Sequence, residues 1–137
     1  MQEGLIRITP NKEKAKSILK MAEVSLEAIK TRDSKKFTSI VTKEYYEVIR
    51  ELISTILLLD GYKTEGEGSH KKLIDYLAEN YKTKFSRQEI VLLEELRNTR
   101  NKIAYDGFFV PEYYLDTRIK EIKNIISKLK EIINKKF

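Results

Sequence analysis

Arg97, Arg100 and Asn101 stand close together late in a helical pattern, within residues 96–107, and Tyr105 follows them by one turn. At about 100° per residue, Arg97, Arg100, Asn101 and Ala104 share one helix face, while Leu92, Leu96 and Ile103 fall on the adjoining apolar face. The guanidinium groups therefore belong beside the core and not opposite it. Arginines without a task scatter over the exposed side of a helix. An Arg-Arg-Asn stripe at a core boundary instead suits an anion site, where the planar fork matches phosphate or carboxylate, or a seam between subunits. The same arginines can also pair with nearby acids such as Glu94, and the spacing leaves all three readings open. His70 is the only histidine, which excludes any site needing two. At the start of a short helix it reads first as a surface or structural residue, and second as a contributor to an anion or RNA site.

Five helical segments must position these groups. Thr9 and Pro10 read as an N-cap and first helical residue, which predicts a helix over 10–31 behind an extension of residues 1–9. Ser34 is the expected cap of a second helix reaching Asp60, with Gly61 as its stop. Its apolar stripe, from Phe37 through Val41, Tyr45, Val48, Ile49, Leu52 and Ile56, makes it the spine. Residues 63–68 lack periodicity and are expected to form an exposed, mobile loop. Ser69 is the expected cap of a short helix to about Tyr81. Ser86 and Glu89, three apart before an apolar run, form a capping-box pattern that opens the helix carrying the arginines. Asp106-Gly107 closes it, residues 108–110 are apolar enough to pack, and Pro111-Glu112 should open a last helix to about Lys136. No strand-like alternation or internal repeat is evident. The expected fold is all-α, an up-down antiparallel bundle of four long helices plus one short one, in a single domain spanning 1–137.

Composition narrows the function classes. A chain of 137 residues can bury one core without disulfides or metals, and it has no cysteine. Thiol nucleophiles and cysteine zinc sites are excluded, and a cytoplasmic location is the default. No apolar run approaches a membrane span, and residues 1–10 lack the pattern of a signal peptide. With 27 Lys and Arg against 21 Asp and Glu, the net charge is +6, spread along the chain and not gathered in a stripe. Abundant Lys, Glu and Ile without Cys also fits a thermophile. No Gly-rich phosphate loop, dinucleotide fingerprint or Ser-His-Asp spacing is present, so neither a cofactor nor a metal is expected. The aromatic group Tyr105, Phe108, Phe109, Tyr113 and Tyr114 reads first as helix-corner core, then as a dimer seam, then as a base-stacking surface.

Arg100-Asn101-Lys102-Ile103-Ala104-Tyr105 resembles the signature of the HEPN family, an Arg, a polar residue and then a His late in the penultimate long helix. The chain departs from it where Tyr105 stands in the His position. Tyr45-Tyr46, Ile49-Arg50-Glu51, residues 57–62 and Ser69-His70-Lys71-Lys72-Leu73 extend the similarity over residues 11–136. The resemblance implies an all-helical domain that pairs through the motif face. It also implies a function as the partner of a small nucleotidyltransferase in a toxin-antitoxin-type system. In some such pairs AMP is transferred to a tyrosine near the motif, which makes Tyr105 a candidate acceptor, although the usual pattern keeps the His.

Ribonuclease members of the family imply the competing class, metal-independent RNA cleavage. That reaction needs a base for the 2′-hydroxyl, an acid for the leaving oxygen and a cation for the phosphorane. Arg100 can supply the cation and Asn101 can orient groups. A proton carrier is missing on this helix, since a phenol ordinarily ionises near pH 10. The expected catalytic set is therefore a degenerate one, Arg100, Asn101 and Tyr105, and the binding set is Arg97, Arg100, Asn101 and His70. Binding ranks above catalysis, with a nucleotide-binding helper as a third reading. A homodimer is expected through residues 97–105 and part of the last helix.

Overall fold

The described part of the computed structural model covers residues 4–137, so Met1 to Glu3 of the expected extension lie outside it. In chain order the elements are β1 (Leu5–Arg7), α1 (Lys12–Lys30), α2 (Thr38–Asp60), β2 (Tyr62–Thr64), α3 (Ser69–Asn80), α4 (Arg87–Asp106) and α5 (Ile119–Lys135). The described residues are thus mostly helical, with four longer helices and one shorter. Helix α2 is the spine because its apolar side chains point in several directions. Tyr46, Ile49, Leu52, Ile53 and Ile56 are all essentially buried, and α2 packs against α1, α3, α4 and α5. Helix α5 is strongly one-sided, burying Ile122, Ile125, Ile126, Leu129, Ile132 and Ile133. Burying one such aliphatic side chain contributes about 1.5–3 kcal/mol, and this contact fixes α5 on the spine.

Several expected boundaries move, each for an identifiable reason. Residues 5–7 of the expected extension form a strand, paired antiparallel with β2 so that Ile6 faces Lys63. The expected loop at 63–68 therefore begins as a strand. Ile8 N–H donates to Gly61 O at 2.8 Å, which holds the chain extended past Pro10. Helix α1 consequently starts at Lys12, capped by Asn11 Oδ1 on Lys14 N–H at 3.0 Å, and not at Thr9-Pro10. Ser34 does not cap α2. Asp33 instead accepts the N–H groups of Lys35 and Lys36, forming a turn that delays the helix to Thr38. Gly68, at φ +71°, precedes α3 where Ser69 was expected as the cap, and Ser69 is the first helical residue.

The largest displacement is at the last helix, which begins at Ile119 and not at Pro111. Tyr114 O, the acceptor that Arg118 N–H would use in a regular helix, accepts the Arg118 side chain at 3.0 Å. Arg118 N–H bonds Leu115 O instead. That guanidinium also stacks on the Tyr114 ring at 3.8 Å and pairs with Glu95 at 2.6 Å, tying residues 111–118 to α4 as a run of turns. Before it, Val110 is buried and donates its N–H to Ser39 Oγ at 2.9 Å, while Phe108 and Phe109 stay outside. No helix of the described residues is long and apolar enough to cross a membrane.

Candidate functional site

Ser86 and Glu89 complete the predicted capping box. Ser86 Oγ accepts Glu89 N–H at 3.1 Å, and Glu89 Oε1 accepts Ser86 N–H at 2.8 Å. This fixes the start of α4, and Gly107, left-handed at φ +64°, fixes its end. Between them Leu92, Leu93 and Leu96 are buried, which rotates Arg97, Arg100 and Asn101 to the edge of the core against α2. The Arg97 and Arg100 side chains are only 19% and 16% exposed.

Helix α2 supplies the groups that meet them. Glu47 divides its carboxylate between two guanidinium groups: Oε1 accepts Arg100 Nε at 2.8 Å, and Oε2 accepts Arg50 Nη2 at 2.8 Å. Arg97 pairs with Glu94 at 3.2 Å within α4. Burial alone would raise Glu47, but its hydrogen bond to Arg50 and the charges of Arg50 and Arg100 hold it below the usual carboxylate range. Arg100 also donates through Nη1 to Asn101 Oδ1 at 3.2 Å and to the Tyr105 hydroxyl at 3.3 Å. Three arginines thus share two directly paired carboxylates, and two of those arginines depend on one of them.

His70 enters this group from the first turn of α3. Its ring lies 6.3 Å from the Tyr46 ring. Burial, and then the charges of Arg50 and Arg100, push its imidazole below the ordinary value, against the opposing charge of Glu47. The ring is therefore neutral at neutral pH and can accept a proton. Tyr46 is 2% exposed, and no side chain or backbone group among the described residues hydrogen-bonds its hydroxyl. Burial pushes that hydroxyl up to about 12. The charges of Arg97, Arg50 and Arg100 oppose that shift, and the charge of Glu47 adds to it.

The structure brings Arg97, Arg100, Asn101 and His70 into one neighbourhood and leaves Tyr105 at its outer rim, 75% exposed. The helix-corner core expected of the aromatic group is confined to Tyr114, which donates to Glu95 at 2.8 Å. Phe109 and Tyr113 are 84% and 66% exposed, while Val110 between them is the side chain that enters the core. Sequence reading missed Tyr46, Glu47 and Arg50 as site residues. The available signal was the run of charges at Glu47, Arg50 and Glu51 in the middle of the most buried helix. Among the described residues, no group of three His, Asp or Glu side chains is placed to hold a metal ion. Compared with known proteins, the chain matches no family model and no curated protein.

Proposed function

We propose that this chain is a HEPN-like interaction module with weak or no catalysis, built as an up-down helical bundle and working as the partner of a small nucleotidyltransferase in a toxin-antitoxin-type system. The observation that carries the reading is the exposed aromatic end of α4, where Tyr105, Phe108, Phe109 and Tyr113 stand outside the core. Large apolar side chains gathered in this way on a small protein mark an interaction surface. Arg100 is meanwhile tied to Glu47 and carries a phenol, not an imidazole, one turn further along. The identity of the partner comes from the resemblance in residues 96–107. The test is co-expression with a small nucleotidyltransferase encoded beside this chain. Co-elution that is lost in the Phe109→Ser, Tyr113→Ser double variant, with far-UV circular dichroism unchanged, supports the module. Separate elution of two well-folded proteins rejects this partner.

One observation favours a second reading, metal-independent RNA cleavage. A neutral imidazole beside Arg50 and Arg100 can act as the base that α4 lacks, with the guanidinium groups stabilising the phosphorane. Incubation with RNA in EDTA separates the two. Cleavage by the wild type that is lost in both His70→Ala and Arg100→Ala selects the enzyme. No wild-type cleavage, with cleavage gained in Tyr105→His and lost again on adding Arg100→Ala, selects a degenerate site kept for binding.

A further inference from the structure

The start of α2 and the segment after α4 enclose a cleft of about 260 Å³, lined among others by Phe37, Ile40 and Phe109. All three are exposed, although their apolar character would place them in a core. The Val110 N–H bond to Ser39 Oγ joins the two walls, so the cleft is a fixed feature of the fold. Its electrostatics are one-sided. Helix α2 begins with no side-chain cap and no acid in its first turn, and the nearest carboxylate, Asp33, is engaged with the N–H groups of Lys35 and Lys36 in the turn before it. Lys35 and Lys36 line the same cleft, and neither has a carboxylate within ion-pair reach among the described residues. Glu112 is the one acid among the lining residues. Lys36 lies over the Phe37 ring at 5.4 Å, so cation and apolar anchor point are presented together.

We propose that this cleft docks an acidic, apolar-anchored segment of a partner protein: an aromatic or aliphatic side chain enters between Phe37, Ile40 and Phe109, and a carboxylate meets Lys35, Lys36 and the start of α2. A second copy of this chain fits less well, because the lining carries two lysines and one glutamate, so a two-fold contact here leaves cationic charge unmatched. The inference rests on the interaction-module reading and adds the chemistry of the partner.

A random-peptide library displayed against the full chain tests it. Enriched peptides should combine an aromatic or aliphatic residue with an excess of Asp and Glu. Their binding, read by fluorescence anisotropy, should weaken about tenfold or more in Phe109→Ser and in the Lys35→Glu, Lys36→Glu double variant, and should weaken with salt. Enriched peptides that need Phe109 but ignore both lysines and salt overturn the acidic partner while leaving the interaction module standing. Enriched peptides insensitive to all three substitutions place docking elsewhere and overturn the cleft. No enrichment at all overturns the cleft as a docking site, while the interaction module stands or falls by the co-expression test. Phe109, Lys35 and Lys36 are solvent-exposed, so these variants keep the fold, which circular dichroism verifies.

Discussion

Arg100 and Arg50 divide Glu47 between them, and this sharing decides what each substitution does. Removing Arg100 leaves Glu47 still paired with Arg50, so no buried carboxylate is stranded. Arg100→Ala should therefore stay folded, losing about 1–3 kcal/mol of stability in urea melts. It should also reduce partner binding or RNA cleavage, whichever the purified chain displays, more than Lys71→Ala does, since the Lys71–Asp75 pair is exposed. Insoluble Arg100→Ala protein would make Arg100 a structural ion-pair residue and remove it from the site. His70 gives a pH signature. Its folded-state value is depressed below the ordinary 6.5, so the unfolded chain takes up the proton first as pH falls. The stability this group contributes is complete above about pH 6.5 and is lost as pH falls from there through the folded value. Glu47, depressed from 4.5, contributes in the same direction but in a lower window. Urea melts from pH 7.5 down to about 5 should show a decline that His70→Gln flattens. An unchanged profile in that variant would mean the imidazole is not held neutral by its surroundings.

Helix α4 shows how much of the architecture is legible in the sequence, and where legibility stops. Ser86, Glu89 and Gly107 signal its ends because capping is local: each residue answers to neighbours three or four positions away. Gly61 at the end of α2 is of the same kind. The starts assigned to Thr9 and Pro111 fail because distant partners intervene, and the one at Ser34 because its neighbour competes. The β1–β2 pairing holds Ile8 extended, Asp33 competes for two N–H groups, and Glu95 captures Arg118. The candidate site divides in the same way. Wheel geometry places Arg97, Arg100 and Asn101 at the core edge, but only the packing of α2 and α3 reveals Glu47, Arg50 and Tyr46 around them and brings the expected His70 beside them. The energetic consequence at this scale is testable. Leu96, fully buried, should cost about 2–5 kcal/mol as Leu96→Ala. Ser86→Ala should cost about 1 kcal/mol. Glu89→Ala should cost more than Ser86→Ala in the same denaturant series, because Glu89 also holds Lys128 at 2.8 Å and joins α4 to α5. Equal losses for the last two would mean that the inter-helix pair contributes nothing beyond the cap.

At the scale of the whole molecule, charges and apolar surface are distributed unevenly. Lys136 pairs with Asp60 at 2.7 Å, and Tyr76 and Tyr81 donate to the same carboxylate, which closes the end of the chain onto the far end of α2. The opposite end, where α2 starts and α4 stops, carries the exposed aromatic residues. Between the two ends runs a stripe in which Glu47 and Glu94 alternate with Arg50, Arg97 and Arg100, next to exposed Ala104. Such a stripe is largely self-complementary: a second copy turned by 180° can set two of the three guanidinium groups against the two carboxylates of its partner, and a small residue lets the helices approach. The contact expected for a homodimer therefore centres on α4 and α2, because α2 flanks Arg100, while α5 meets α4 mainly toward the Glu89 end. Light scattering should give a dimer at about tens of micromolar, with an interface of at least about 1,000 Å². Ala104→Arg adds bulk and a like charge at an exposed position, so it should yield a monomer with unchanged circular dichroism and an unchanged affinity for peptides in the Phe37–Phe109 cleft. A wild type that is already monomeric, or an Ala104→Arg protein that stays dimeric, would remove the α2–α4 stripe as the seam and leave its paired charges as a stabilising feature of a single chain.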